Sequence, residues 1–201
     1  MVNPFPAPRH DAGGKSKWPL LPGVRGGAEF AGQGDVHRLL LWRDWGPEFP
    51  ALDALPDFNG AALWIGMNPS TAEADIDDLT VRKEQVWTRM LRLTRYLKMN
   101  VSTYRSTDPR ALAGAAANGM TRHPDNLPML RRCAERASVI IVATGLVPDC
   151  IRQDALAVFD TLRDPSLASK VRCLGLTKAG WPKHSSRIGY DVPIQPWDAR
   201  L

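Results

Sequence analysis

The chain is poor in the features that define several large protein classes. It has three cysteines, Cys133, Cys150 and Cys173, odd in number and widely spaced. That argues against a disulfide framework or a cysteine zinc site, and it suggests a reducing, cytoplasmic setting with the thiols as small core residues. No apolar run approaches the roughly 18 residues of a membrane span, and the first residues lack the continuous apolar stretch of a secretion signal. Neither GxxxxGK(S/T) nor GxGxxG occurs, which lowers the odds of a P-loop NTPase or a Rossmann dehydrogenase. No internal repeat or low-complexity domain stands out.

What is present fits one folded unit. The 201 residues are 44% hydrophobic, enough for a substantial core. Residues 1–34 are rich in Pro and Gly with little periodicity and read as an N-terminal arm, mobile or loosely docked to about Gly27. Lys15, Lys17 and Arg25 could touch phosphate there or simply belong to a plain tail. Residues 35–201 read as a single α/β domain. The formal charge of +5 permits an acidic partner such as nucleic acid without demanding one.

Along that domain, apolar runs alternate with helical periodicity. Val36–Trp42 reads as a strand or a packed entry segment, and Pro47, Pro50 and Pro56 make a loop up to Asn59-Gly60. Residues 61–65 read as the first core strand. Asp77-Asp78 precedes a helix expected over 79–97, with Val86, Met90, Leu93 and Leu97 as its buried stripe. Residues 100–104 are weakly strand-like. Helices are expected over 109–117, 126–137 and 151–162, and strands over 139–143 and 171–176. This alternation predicts a three-layer α/β/α sandwich around a central, mostly parallel sheet of four to five strands.

In such a fold the loops after parallel strands share one edge, where ligands bind. The apolar run Leu63-Trp64-Ile65 ends in Gly66-Met67-Asn68-Pro69-Ser70-Thr71, a turn shaped by Pro69 and rich in hydrogen-bonding groups. The other loops on that edge are Asn100–Arg105, Thr144-Gly145 and Thr177–Ser186, the last with Lys178, Lys183, His184 and Ser185. Asn68 and His184 are therefore expected to converge.

These motifs resemble a bacterial and phage family known as DUF1643, whose pattern is roughly LNPSTAD, DDPTV, NLFAYRATDP and GLTKDGHPKHPL. Here Met67–Ala72, Asp77–Val81, Asn100–Pro109 and Gly175–Ser185 follow it in order, within about residues 36–197. Leu79 stands for a Pro, Trp181 for a His and Ser185 for a Pro. The family in turn resembles, more weakly, the uracil-DNA glycosylase superfamily. There a GINPG- or GQDPYH-type loop follows the first core strand, an Asn often ends a later one, and an HPS-type loop follows the last. Gly66-Met67-Asn68-Pro69, Asn100 and Lys183-His184-Ser185 correspond.

The resemblance implies a uracil-DNA-glycosylase-like fold and hydrolysis of an N-glycosidic bond of a modified or unmodified base in DNA, without a cofactor or metal. Breaking that bond builds positive charge on the sugar and negative charge on the base, so help is needed at both ends. Asn68 can orient a water, or only stabilise its turn. His184 can donate to the departing base, or only brace the final loop. Asn100 offers donor and acceptor to a base edge, or caps a strand. Asp78 caps the following helix, or serves as general base in a group-transfer reaction. Gly66, Met67, Pro69, Ser70, Thr71, Thr144 and Ser185 are expected to line the substrate. Tyr104 can stack on a base, and Arg105, Lys178 and Lys183 can hold phosphates. The basic helix carrying Arg82, Lys83, Arg89, Arg92 and Arg95 is either a DNA-facing or a solvated face. The expected partner is DNA, another nucleic acid or a nucleotide, with no membrane, and the protein is expected to be a monomer. A non-catalytic nucleic-acid or nucleotide-binding module is the third alternative.

Overall fold

A computed structural model describes residues 9–10, 16–46, 60–70 and 72–201. Lys15, the loop with Pro47, Pro50, Pro56 and Asn59, and Thr71 lie outside the described residues. The chain opens with β1 (Arg9–His10), β2 (Ser16–Pro19), β3 (Arg25–Ala31) and β4 (His37–Asp44). Thus parts of the segment expected to be an arm are strands, and β3 pairs with β4 from Arg25 to Ala31.

Next come β5 (Ala61–Gly66), β6 (Ile76–Asp77), α1 (Leu79–Met90) and β7 (Arg95–Asn100). The helix expected to reach residue 97 stops seven residues earlier. Arg92 turns left-handed at φ 58°, and Leu97 belongs to a strand buried on both faces. Met90, assigned to a buried stripe, is exposed. No Gly or Pro marks this break, so the helical spacing of Val86, Met90, Leu93 and Leu97 ran on through a strand. The remaining elements are α2 (Pro109–Ala117), α3 (Asn126–Arg136), β8 (Val139–Val142), α4 (Arg152–Leu162), α5 (Pro165–Ala168), β9 (Val171–Cys173) and β10 (Gln195–Pro196).

The main sheet has seven strands in the order β10-β9-β8-β5-β7-β4-β3. β9, β8, β5 and β7 run parallel, whereas β10, β4 and β3 join antiparallel. A small β1-β2-β6 sheet is also antiparallel. The expectation of a mostly parallel sheet of four to five strands is therefore corrected. The fold is α/β with a mixed sheet, and antiparallel pairings are the majority. The N-terminal β3–β4 hairpin is the main cause, because it extends the parallel core from the β7 side.

The parallel core explains itself chemically. Strands covered on both faces read as continuous apolar runs. β5 sends Ala61, Leu63 and Ile65 to one hydrophobic cluster and Ala62 and Trp64 to the other. The first cluster takes in α3 and α4 through Leu130, Ala134, Val158 and Phe159, and the second takes in α1 through Val81 and Trp87. The connections after β5 and β8 thus leave toward opposite faces. The carboxyl ends between such strands form the crevice in which open α/β folds bind ligands.

Candidate functional site

Backbone pairing continues past the strand ends and draws two loops together. Val101 N–H donates to Gly66 O at 3.0 Å, Ser102 N–H to Met67 O at 2.9 Å and Ser106 N–H to Pro69 O at 3.1 Å. The turn after β5 therefore lies along the segment after β7. A cavity of about 320 Å³ opens above them. Its lining includes Gly66, Met67, Asn68, Ser70, Asp78, Asn100 and His184, all singled out from sequence, together with Arg38, Thr80, Val81, Lys98, Ser106 and Thr107. This volume is at the lower end for small-molecule sites.

Asn100 forms part of the floor. It is 2% exposed, and neither its amide nitrogen nor its amide oxygen meets a protein partner. Its backbone carbonyl is held by Asn126 Nδ2 at 3.2 Å. Gly66 leaves room for it, because a Cβ there would lie 2.8 Å from Asn100 Oδ1 and 2.9 Å from Lys98 Nζ. Asn68 is oriented by donating Nδ2 to Ser106 O at 2.7 Å and to Pro69 O at 3.2 Å, which leaves its oxygen as the open acceptor.

His184 closes one side. Ser186 N–H donates to its Nδ1 at 3.2 Å, and Ser186 Oγ lies 2.7 Å from the same atom. An Nδ1 that accepts an amide hydrogen puts the proton of the neutral ring on Nε2. Burial, with Lys98 as the next cause, lowers the His184 pKa and favours that neutral form. Opposite, Asp78 caps α1 by accepting from Val81 N–H at 2.9 Å, and burial raises its carboxyl pKa.

Beneath the pocket, Glu84 is a fully buried hub. It accepts from Tyr96 Oη at 2.7 Å, from Lys98 Nζ at 2.7 and 2.9 Å, and from Ser185 Oγ at 2.7 Å. Ser185 is thus a tether for the His184 loop, not a lining residue. Thr144 and Lys183 line a neighbouring cavity of about 540 Å³ that shares Met67 and His184 with the first. Arg105 lies beyond Ser70 and Ser106, in a third cavity, where it meets Glu73 at 3.3 Å and stacks over Phe30. Pro69 is buried beneath its turn. Tyr104 pairs with His37 away from the central pocket, and Lys178 is exposed in the turn after β9.

The basic face expected on α1 is largely committed to internal contacts. Arg82 and Arg43 both pair with buried Asp77 at 2.8 Å. Lys83 donates to Ser186 O and Ile188 O, Arg89 stacks over Trp45, and Arg95 pairs with Asp44 at 2.7 Å. Asp77 is thereby occupied, and among the described residues no group of three His, Cys, Asp or Glu side chains could hold a metal.

Sequence reasoning did not single out Arg38, Lys98 or Glu84 for the site. Arg38 sits inside an apolar run that reads as a strand or a packed entry segment, although a charge within such a run is itself a signal. Glu84 falls inside the helix expected over 79–97 and Lys98 just past its end, so neither pointed to a buried strand or to the site. Once β7 is recognised, its alternation puts Tyr96, Lys98 and Asn100 on one face.

A family model described as "Protein of unknown function (DUF1643)" matches residues 38–185. No curated protein and no solved structure matches the chain.

Proposed function

The chain belongs to the DUF1643 family, and from that premise and the pocket's chemistry we propose a nucleobase-directed enzyme that hydrolyses an N-glycosidic bond in DNA. In this proposal the helices on the two faces of the sheet make the three-layer α/β/α arrangement of the uracil-DNA glycosylases. The observation that carries it is Asn100, a buried amide with neither hydrogen-bonding atom partnered, in the same pocket as Asn68 and His184. An unmet buried polar group costs about 1–3 kcal/mol. A ligand edge with an adjacent donor and acceptor, as on a pyrimidine or a 6-keto purine, removes that cost on both atoms.

The remaining groups suit the two ends of the reaction. The Asn68 oxygen accepts from a water, whose oxygen bonds to the sugar carbon as the carbon–nitrogen bond breaks; the added water then loses a proton to solvent, and the departed base takes one up. The base leaves with the electron pair, and the Nε2–H of neutral His184 stabilises the charge it carries away. In a duplex the base would first have to be flipped out.

The test is a cleavage assay on single- and double-stranded oligonucleotides carrying uracil, hydroxymethyluracil, hypoxanthine, thymine mismatches or hypermodified pyrimidines. The expected result is abasic product, with a rate at least about 100-fold lower in Asn68→Ala and binding retained. Binding without abasic product would overturn hydrolysis.

A second reading keeps the pocket and changes the reaction to group transfer onto a base. Asp78, half-buried on the pocket wall and with a carboxyl pKa raised by desolvation, favours it as a general base. Asp78→Asn should keep the helix cap, since an amide oxygen can still accept from Val81 N–H. A normal product yield in that variant would sink this alternative.

A further inference from the structure

Four cationic side chains are buried among the described residues: Arg38, Arg43, Arg82 and Lys98. Three have carboxylate partners, Arg43 and Arg82 on Asp77 and Lys98 on Glu84. Arg38 is the exception. It is 2% exposed, its Nη1 donates to Ala72 O at 2.6 Å, and its Nε meets no partner. No carboxylate among the described residues lies within ion-pair distance of it. A guanidinium carries five N–H donors in a planar fork, and burying one with no carboxylate in contact and its Nε unmet is costly. Burial pulls its pKa down to about 10.

The surroundings combine anion-binding groups with one carboxylate, Asp78, whose charge acts on Arg38 without touching it. Arg38 lines the same pocket as Asn100, together with Ser70, Thr80 and Thr107. The twelve-residue α1 directs its N-terminal end there through Thr80 and Val81, which adds the positive end of a helix dipole. Asp78 already accepts from Val81 N–H, so the helix end alone would not suffice; the guanidinium, with no carboxylate in contact and its Nε unmet, is what completes the site.

We infer that Arg38 receives a phosphate of the substrate, so that the pocket takes a whole nucleotide unit, with the base on Asn100 and the phosphate on Arg38. A planar fork suits an oxyanion with several acceptor oxygens. The inference deepens the proposed function and rests on it for the base half only. The phosphate is either the monoester of a free nucleotide or a diester within a strand.

The first probe is inorganic phosphate, titrated into the full chain by calorimetry. Saturable one-site binding that weakens at least about 10-fold in Arg38→Met is expected from the loss of a charge-assisted contact. Equal binding by both proteins, or no binding by the wild type, overturns the inference. If Arg38→Met does not fold, side-chain Nε–H resonances of the 15N-labelled wild-type protein decide: an arginine resonance that moves on adding phosphate and is missing in Arg38→Lys supports the site, and unmoved resonances overturn it. Deoxyuridine, its 5′-monophosphate and an internal dinucleotide phosphodiester are then compared. A gain over the nucleoside that disappears in Arg38→Met supports the inference, and whichever phosphate gives the gain identifies its source. Arg38-dependent phosphate binding without nucleoside binding would keep the inference and sink the base reading. Nucleoside binding through Asn100 with no Arg38-dependent gain would do the reverse.

Discussion

At Gly66 a single hydrogen atom stands where a methyl group would press on two side chains at once. A Cβ would meet Asn100 Oδ1 at 2.8 Å and Lys98 Cε at 2.9 Å. Both are ends of side chains, so Gly66→Ala is expected to fold and to displace the amide. Affinity for deoxyuridine 5′-monophosphate, read by calorimetry, should fall by about 10-fold, the scale of one lost hydrogen bond. His184 makes a second prediction at this scale. Its lowered pKa means that the unfolded chain takes up a proton that the folded chain resists. Stability is therefore undiminished above the ordinary histidine value of about 6.5 and falls as pH drops through the lower folded value. Urea unfolding between pH 7.5 and 5 should show that loss, and His184→Gln should lack this share of it. An NMR midpoint for His184 at or above 6.5 would contradict the account.

At the scale of elements, Glu84 holds α1, β7 and the last loop to one another. Glu84→Ala would leave Lys98 as an uncompensated buried charge, at a cost of about 3–5 kcal/mol measured by urea unfolding. Adding Lys98→Met should recover part of that loss, because an uncharged pair is tolerated better than half an ion pair. Ser185→Ala should cost only about 1 kcal/mol but speed amide exchange around His184, since that hydroxyl, alongside Lys83 on Ser186 O and Ile188 O, ties the loop to α1. Arg43 acts similarly on the opposite wall. It donates to Glu73 O, Ala74 O and Ile76 O as well as to Asp77. Arg43→Met should therefore raise hydrogen exchange between residues 73 and 77 ahead of the sheet.

Elements were legible where periodicity and punctuation agreed. Asp108-Pro109 begins α2 with a side-chain cap and a Pro in the first turn, and the helix ends at Ala117 as the spacing predicts. The Asp78 cap was likewise legible, and so was the drawing together of Asn68, Asn100 and His184 from loop placement. The end of α1 was not, because Arg92 adopts a left-handed turn without glycine. β7 was hidden by the same error, and with it the hub beneath the pocket. Polar side chains in a buried strand mimic a solvated helix until their partner, here Glu84 at 12 and 14 residues' separation, is known.

Across the whole molecule, the mixed sheet decides where the site can lie. Four parallel strands put their carboxyl ends together, and the antiparallel β3 and β4 extend the sheet beyond β7. Arg38, near the start of β4, reaches the pocket because β4 runs opposite to β7, which brings its first residues beside the end of its neighbour. A parallel strand in that position would have put its last residues there instead. The expectation of a mostly parallel sheet could not anticipate this, since it treated the first 34 residues as an arm.

The bond between Glu84 and Ser185 spans 101 positions. During synthesis on the ribosome, Arg38, Asn68, Asp78 and Asn100 emerge long before His184. A nascent chain halted after α4 would carry the floor and two walls of the pocket, with Glu84 holding Tyr96 and Lys98 but still lacking its hydroxyl partner. The pocket's last wall is thus supplied by residues made more than 80 positions after Asn100, so the site needs most of the chain before it can close.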